Sequence, residues 1–156
     1  MASRLTKSAA AAAMCVSLVG SAEGLRQSAY PDPATQGEPW TVCYGHTVGV
    51  LPDDHYSLAE CKAMLVKDLE KYATGVERCV TAPLTDQREV ALISFAYNVG
   101  VRGACNSSTV RLINAGETRA GCDALLKWNK AAGITFPGLT RRRERERAFC
   151  LDGVTD

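Results

Sequence analysis

The stretch from Arg26 to Pro52, RQSAYPDPATQGEPWTVCYGHTVGVLP, separates two parts of the chain that differ in hydrophobic pattern. It is rich in Pro and Gly and contains the alternating run Trp40-Thr41-Val42-Cys43-Tyr44, in which residues 40, 42 and 44 share one face of an extended strand. These features predict a small β-sheet. Helical spacing follows it, so the sequence predicts an α+β fold with a small N-terminal β-lobe, a larger helical lobe and a cleft between them.

The sequence after this stretch predicts a series of helices. Ser57-x-x-Glu60 is typical of a capping box, and the apolar residues behind it recur every three or four positions, as in a long amphipathic helix. A second helix is predicted from Thr85 to Gly100. Shorter helices are predicted over residues 108–115, 118–130 and 141–151, because glycines and Pro137-Gly138 separate these segments.

Length, charge and cysteine content limit the class of protein. The 156 residues, 46% of them hydrophobic, suit one domain with its own core. Lys and Arg number 18 against 17 Asp and Glu, and a net charge of +1 argues against a nucleic-acid partner. Seven cysteines without a Cys-x-x-Cys pair, together with only two histidines, predict disulfides in an oxidising compartment and no metal site.

The N-terminus resembles an export signal. Arg4 and Lys7 precede fifteen uncharged residues, Ser8 to Ala22, a run that is short for a transmembrane helix of about 20 residues. Three interpretations stay open at this point. The run is a cleaved signal peptide, a marginal membrane anchor that later leaves the bilayer, or the first helix of the folded domain.

Glu23 and Asp32 are the candidate catalytic carboxylates. Gly24 predicts that a helix ends at Glu23, where the negative end of the helix dipole and apolar neighbours would raise the pKa of this carboxyl, as a general acid requires. Asp32 lies between two prolines, in a loop expected to be solvated, where it would stay ionised. Thr41 offers a hydroxyl that can hold a water. Two carboxylates in different protonation states can hydrolyse a glycosidic bond, although a Glu and an Asp at this spacing are more often plain surface charges.

Several motifs in this region match one family in order and spacing. The segments at residues 23–26 (EGLR) and 40–47 (WTVCYGHT), with Tyr30-x-Asp32 between them, resemble the active-site region of phage-type lysozymes, the muramidases used as endolysins. The resemblance continues through SFAYNVG at residues 94–100 and GLTRR at 138–142, and extends from about residue 16 to 151. It implies that Glu23 is the general acid, Asp32 the partner carboxylate and Thr41 the residue that positions the attacking water.

The chain departs from the family pattern in one place. Eight residues separate Asp32 from Thr41, more than the commoner family pattern has, and the surplus within residues 33–39 lengthens the hairpin. Asp32 follows the Tyr-x pattern of the family, and Glu38 is the alternative acid.

Other residues have structural interpretations beside functional ones. The resemblance implies an ion pair between His46 and Asp68. It places Asn98 in the cleft, where it would bind a sugar N-acetyl group or make a helix-end hydrogen bond, and Trp128 in the core or the cleft wall. The run from Arg141 to Arg147 predicts a solvated helix face, with attraction to anionic wall polymers as the alternative.

Six cysteines fit three local loops, although six cysteines permit 15 pairings. The loops are Cys43–Cys61, Cys79–Cys105 and Cys122–Cys150, and Cys15 is left over inside the apolar segment.

The resemblance implies an endolysin that hydrolyses the β-1,4 bond between N-acetylmuramic acid and N-acetylglucosamine in peptidoglycan. Such an enzyme acts as a monomer, without metal or organic cofactor, and lyses the host cell. Two alternatives are a lytic transglycosylase and a non-catalytic, disulfide-stabilised wall-binding module. We assign residues 16–156 to the lysozyme-like catalytic domain and residues 1–22 to the apolar N-terminal segment.

The family resemblance also bears on the N-terminus. Cleavage after Ala22 would leave Glu23 as the first residue and remove the helix behind it, so a cleaved signal is disfavoured. Some endolysins of this family keep such a segment as an anchor and later release it. We therefore expect export to the periplasm with transient inner-membrane association through residues 8–22. Retention in the cytoplasm until lysis is the alternative.

Overall fold

Eight α-helices, one 3₁₀ turn and four short β-strands make up residues 3–155, the part of the chain that the computed structural model describes. In chain order they are α1 (Arg4–Lys7), α2 (Ala9–Glu23), β1 (Arg26–Tyr30), β2 (Thr41–Cys43), α3 (Leu58–Cys79), α4 (Asp86–Val99), α5 (Val101–Cys105), α6 (Ser108–Asn114), α7 (Thr118–Ala124), the 3₁₀ turn (Leu125–Lys127), β3 (Lys130–Ala131), β4 (Ile134–Thr135) and α8 (Pro137–Cys150). The predicted α+β architecture is confirmed, because one small β-lobe follows α2 and the helical lobe follows it.

The β-lobe is an antiparallel hairpin of β1 and β2. Arg26 lies opposite Cys43 and Tyr30 opposite Thr41, with an irregularity between the two pairs. The chain then returns along the other side of β1, where the backbone N–H of Ala29 donates to the carbonyl of Asp54 at 2.9 Å. This hairpin, predicted from the alternation around Thr41, follows α2 after only two residues and so stands next to the end of that helix.

The predicted start of α3 and both predicted boundaries of α4 are confirmed. The Ser57 hydroxyl accepts from the Glu60 N–H at 3.1 Å, and the Glu60 carboxylate accepts from the Ser57 N–H at 3.1 Å, which completes the capping box of α3. Thr85 caps α4 in the same way, by accepting from the N–H of Arg88. Gly100 ends α4, as predicted.

Helix α4 forms the centre of the core. Every residue from 88 to 96 is buried, and α2, α3, α5 and α8 pack around it. Helix α2 contributes five buried residues, among them Leu18 and Val19. Burial of each of these two side chains stabilises the fold by about 1.5–3 kcal/mol relative to exposure. The apolar N-terminal segment is thus an integral helix in this structure. Within residues 3–155, no helix combines the length and the apolar character needed to cross a membrane.

Two predicted helix boundaries in the last third of the chain are wrong. The helix predicted over residues 118–130 ends at Ala124, and a 3₁₀ turn and the β3–β4 hairpin follow, because Ala132 and Gly133 adopt positive φ values of 50° and 78° that turn the chain back. Helix α8 begins at Pro137, four residues before the predicted start. Proline suits the first helical position because the N–H that it lacks would have no partner there.

Three disulfides join neighbouring elements. They are Cys43–Cys61, Cys79–Cys105 and Cys122–Cys150, the three local loops considered from the sequence, and each closes 18 to 28 residues. A loop of this length contributes about 3 kcal/mol in the chain-entropy account.

Cys15 is a free thiol that is fully buried in α2. Burial, with the nearby Glu89 charge, raises the pKa of Cys15 to about 12, so this thiol acts as a small apolar side chain in this conformation.

Acidic side chains of α3 and α4 hold the N-terminal end of the described chain. Both the N–H and the hydroxyl of Ser3 donate to the Glu70 carboxylate, at 2.6 and 2.7 Å. The Arg4 guanidinium lies 2.7 Å from Asp86 and 3.2 Å from Glu89. Glu89 is only 3% exposed, and its Oε1 has no hydrogen-bond partner within residues 3–155. Burial, then the neighbouring Glu77 carboxylate, raises the pKa of Glu89 to about 7.

Replacing Glu89 with glutamine is expected to change how stability depends on pH. The pKa of Glu89 is about 7 in the folded state against an ordinary value of 4.5. Its contribution to stability is therefore complete below pH 4.5 and lost as the pH rises through 7. Thermal unfolding between about pH 4.5 and pH 8 should show the wild type losing on the order of 2–3 kcal/mol relative to Glu89→Gln. Parallel stability curves for the two proteins would contradict this account.

Candidate active site

Glu23 is the last residue of α2 and lies where this helix meets the β-lobe. Gly24 follows with φ 77°, a conformation that suits glycine, and its N–H donates to the carbonyl of Gly20 at 3.0 Å to close the helix. The Glu23 side chain is 27% exposed, so water and a ligand can reach its carboxylate. The predicted helix end at Glu23 is confirmed.

Arg142 contacts Glu23, and the apolar surroundings expected for this carboxyl are wrong. The Arg142 Nη1 lies 2.6 Å from the Glu23 Oε1, and the Arg142 side chain is only 7% exposed. Its remaining N–H groups donate to the Ser94 carbonyl and to Glu146, both at 3.2 Å. Arg142 therefore fixes the position of the Glu23 carboxylate relative to α4 and α8.

The run from Arg141 to Arg147 is only in part the solvated helix face that we expected, because Arg141, Glu144 and Arg145 are exposed but Arg142, Arg143 and Glu146 are buried. Arg143 and Glu146 are fully buried, and they form an ion pair with each other. Glu146 also accepts from the Ser94 hydroxyl at 2.7 Å, and the Arg143 Nε donates to the Trp128 carbonyl at 2.9 Å. Burial lowers the pKa of Arg143, and Glu146 opposes that shift. Arg142, Arg143 and Glu146 thus form a buried charged network behind Glu23.

A signal for this network was present in the sequence. On a helix, Glu146 and Arg143 lie four and seven residues before Cys150, so the three side chains share one face. A disulfide between Cys122 and Cys150 turns that face toward the core. Applying the expected cysteine pairing to the helix would have identified the buried arginine and glutamate, which the high charge of the run concealed.

Glu23 lines a cleft of about 620 Å³ between α2, α8 and the β3–β4 hairpin. The lining residues are Ser21, Ala22, Glu23, Asn98, Ala131, Phe136, Gly138, Leu139, Arg141, Arg142 and Arg145. Asn98 is exposed, and its Oδ1 accepts from Arg143. No hydrogen bond within residues 3–155 uses the two amide donors of Asn98, so these donors are accessible to a ligand. The bond that the side chain does make is to Arg143 of α8 and not to a helix end. Trp128 packs edge-to-face on Phe95, 5.2 Å between ring centroids.

Asp32 and Thr41 lie together on the β-lobe hairpin. Thr41 pairs with Tyr30, and Asp32 follows Tyr30 by two residues. The Asp32 Oδ1 accepts from the N–H groups of Ala34 and Thr35, at 2.8 and 3.1 Å, so this oxygen organises the turn that the longer hairpin requires. Asp32 is half-buried and bound to its own loop, and residues 33–36 of that loop are exposed, as expected for a solvated loop. Neither Asp32 nor Thr41 is among the described residues that line the 620 Å³ cleft.

A second, smaller cavity of about 320 Å³ lies beside the β-lobe and is lined by His46, Asp68 and Tyr97, among others. The His46 Nδ1 lies 2.7 Å from the Asp68 Oδ2, which is the pair implied by the family resemblance. Tyr97 donates to the carbonyl of Tyr44 at 3.3 Å. Burial, followed by the charges of Glu23 and Asp68, raises the pKa of Tyr97 to about 12, so its phenol stays neutral. These contacts link the β-lobe to α3 and α4.

The donor set of the described residues does not suit a metal ion. Within residues 3–155, no three side chains of His, Cys, Asp or Glu are grouped so that they could hold one.

The chain is similar to known proteins in sequence and in fold. Residues 20–146 match the family model described as phage lysozyme. An SAR-endolysin of bacteriophage PS119 is 40% identical over 132 residues, which are 84% of this chain and 77% of that relative. The endolysin from Escherichia coli O157:H7 phage FAHEc1 has a TM-score of 0.79 and 27% identity, covering 92% of this chain and 94% of its own. The active form of the P1 phage endolysin has a TM-score of 0.75 and 28% identity, covering 92% and 85%.

Proposed function

The chain belongs to the phage lysozyme family, and we propose that this lysozyme-type glycoside hydrolase cleaves the β-1,4 bond between N-acetylmuramic acid and N-acetylglucosamine in peptidoglycan. The observation that carries the proposal is the Glu23 carboxyl, which is solvent-accessible in a cleft and held at 2.6 Å by a buried arginine. A fixed and accessible carboxyl suits proton transfer to a leaving sugar oxygen.

The proposed roles of the three catalytic residues follow from their chemistry. Glu23 protonates the oxygen of the bond being broken, which helps the sugar leave. Asp32 and Thr41 act from the β-lobe, where the threonine hydroxyl holds a water and the Asp32 carboxylate assists its attack on the sugar carbon. Because Asp32 Oδ1 is used by two backbone N–H groups, Oδ2 is the oxygen that we assign to this task. In this scheme no step requires a metal or an organic cofactor.

Product analysis on purified peptidoglycan tests this mechanism. A water held between two separated carboxylates attacks the face opposite the leaving group, so the configuration at the sugar carbon should invert. We expect new reducing ends of N-acetylmuramic acid that form first as the α-anomer, which proton NMR of fresh digests detects. A β-anomer formed first would contradict the held-water mechanism. A 1,6-anhydro sugar without a new reducing end would indicate a lytic transglycosylase, and binding without turnover would indicate a wall-binding module.

We further propose that residues 8–22 first tether the chain to the inner membrane and then enter the folded enzyme as α2. The basic residues Arg4 and Lys7 before an uncharged run suit export, and alanine-rich composition makes the hold on the bilayer weak. The tethered form would be inactive, because Glu23 is positioned by the packing of α2 on α4 and α8. The similarity to an SAR-endolysin supports the same sequence of events.

Cell fractionation with two matched variants tests the tether. Ala9 and Ala10 are exposed in the folded structure, so changes there leave the core intact. The variant Ala9→Leu/Ala10→Leu should shift uncleaved protein from the periplasmic to the membrane fraction and delay lysis. The polar control Ala9→Gln/Ala10→Gln should shift it the other way. Wild-type protein that stays in the cytoplasm until a separate membrane pore forms would contradict the proposal.

A further inference from the structure

The proposed catalytic groups stand on two parts of the fold, and the chain between these parts does not by itself fix their spacing. Glu23 ends α2, whereas Asp32 and Thr41 belong to the β-lobe. The direct link from α2 to β1 is Gly24 and one further residue. Gly24 has a φ of 77°, and a side chain added there would meet no atom within 4 Å. A glycine with so little packing around it leaves the angle between α2 and the hairpin to be set by contacts elsewhere.

Tyr44, which follows β2, makes such a contact with α2. The Tyr44 side chain is buried, and its ring lies so close to Gly20 that a Cβ at residue 20 would be 3.2 Å from the ring carbon Cε1. The Gly20 carbonyl accepts from the Gly24 N–H at 3.0 Å, and this bond closes the helical turn that carries Glu23. The Tyr44 ring therefore packs on the same turn that places the proposed general acid.

Tyr44 and the residue before it are also fixed to two other helices. The Tyr97 hydroxyl of α4 donates to the Tyr44 carbonyl at 3.3 Å. Cys43 is bonded to Cys61 of α3 and has a φ of 60°, a left-handed conformation that residues other than glycine rarely keep unless the surrounding contacts hold them. Thr41 lies two residues before Cys43 on β2. The strand that carries Thr41 is thus connected to α2, α3 and α4 at its end.

Glycine at position 20 permits the close approach of the ring. Carbon atoms attract most strongly at about 3.5–4.0 Å, so a larger residue would displace the ring by a few tenths of an ångström. Hydrolysis by a held water needs carboxyl groups about 6.5–9.5 Å apart, and a misplacement of about 1 Å can lower a rate about 10²-fold. A small shift of the β-lobe relative to α2 is therefore enough to lower kcat while the protein stays folded.

We propose that Gly20 and Tyr44 are positioning residues, which set the spacing between Glu23 on α2 and the Asp32–Thr41 pair on the β-lobe. The proposal rests on the proposed function, because it takes these three side chains as the groups that act on the substrate. It gives α2 a second task besides carrying the acid, since the small residue at position 20 determines how closely the β-lobe approaches. Neither positioning residue needs to touch the substrate for this role.

Steady-state kinetics of the full chain on purified peptidoglycan test the role of Gly20. Gly20→Ala should lower kcat about three- to tenfold with KM near wild type, because the shift changes the reacting geometry. Alanine favours a helix more than glycine does, so the melting temperature should stay within about 3 °C of wild type. Gly103→Ala on α5 is the matched control. A Cβ there would meet its nearest atom at 3.6 Å, an ordinary contact, so kcat should not change.

A double-mutant cycle with Tyr44 provides a readout that a general loss of stability would not move. Tyr44→Leu removes the ring and should lower kcat by itself, because the β-lobe loses this contact with α2. Adding Gly20→Ala to Tyr44→Leu should cause no further loss, since the ring that the Cβ would meet is gone. The conservative variant Tyr44→Phe keeps the ring and the backbone carbonyl that binds Tyr97, so it should retain the kcat that Tyr44→Leu loses.

The outcomes separate this proposal from the assignment of the acid. A Gly20→Ala variant with wild-type kcat would overturn the positioning role. Equal losses from Gly20→Ala with and without the Tyr44 ring would overturn it too, because the added methyl group would then act on something else. Glu23→Gln tests the proposed function independently, since near-normal activity in that variant removes the acid whatever the Gly20 variants show. If Glu23→Gln is inactive and Gly20→Ala is unchanged, the proposed function stands and the positioning role alone is wrong.

Discussion

Glu23→Gln is expected to lower the rate of peptidoglycan hydrolysis by at least about 10²–10⁴-fold, the usual cost of losing a general acid. Glutamine keeps the size of the side chain and an oxygen that can accept from the Arg142 Nη1, now 2.6 Å from the carboxylate. It cannot supply a proton to the leaving oxygen. The loss should therefore appear in kcat, with the melting temperature close to wild type. The rate of hydrolysis is measured by the fall in turbidity of chloroform-treated Gram-negative cells and by the release of reducing sugar.

Two further variants make this result specific. Asp32→Asn should also reduce hydrolysis, because the amide cannot assist an attacking water. Glu38→Gln changes the alternative acid of the same hairpin and should leave hydrolysis near wild type. If Glu23→Gln retained near-normal activity, the assignment of the acid would be wrong. If instead Glu38→Gln reduced hydrolysis and Asp32→Asn did not, the second catalytic carboxylate would be Glu38 and not Asp32.

The fold was predictable where local chemistry determines it. The Ser57–Glu60 capping box, the Thr85 cap and the glycine after Glu23 each satisfy backbone groups within a few residues, so a pattern in the sequence is enough. The end of α7 was not predictable in this way. Residues 125–130 have ordinary helical character, and the chain leaves the helix there because a backbone turn at Ala132 and Gly133 builds the β3–β4 hairpin.

The site was predictable in its residues and less so in its surroundings. The helix end at Glu23 followed from Gly24 alone, but its partner Arg142 lies 119 residues away and depends on how α8 packs. Arg143 and Glu146 look exposed in sequence because charged residues usually are. They are buried because each neutralises the other, the Arg143 Nε donates to the Trp128 carbonyl, and Glu146 accepts from the Ser94 hydroxyl. Such long-range compensation leaves little trace in local composition.

Glu146→Gln is expected to be the most destabilising of the single substitutions considered. The Glu146 carboxylate is fully buried and faces two guanidiniums, those of Arg142 and Arg143, while also accepting from the Ser94 hydroxyl. Removing its charge leaves the buried Arg143 guanidinium without a carboxylate and Arg142 with Glu23 alone, and breaking a buried pair typically costs about 3–5 kcal/mol. For a chain of this size the melting temperature should fall by on the order of 10 °C.

The consequences of Glu146→Gln should extend to Glu23. Arg142 would lose one of the contacts that fix it, so the Glu23 carboxylate would be held less tightly and kcat should fall even below the new melting temperature. Glu144→Gln is the matched control, because Glu144 is exposed on the same helix two residues away, and it should change stability by less than about 0.5 kcal/mol. Both measurements need the Cys122–Cys150 disulfide intact, since Cys150 ends α8 four residues after Glu146. Equal melting temperatures for the two variants would contradict this account. They would show that the charge of Glu146 does not stabilise the fold, and that the carbonyls of Trp128 and Ser94 are sufficient partners for Arg143 and Arg142.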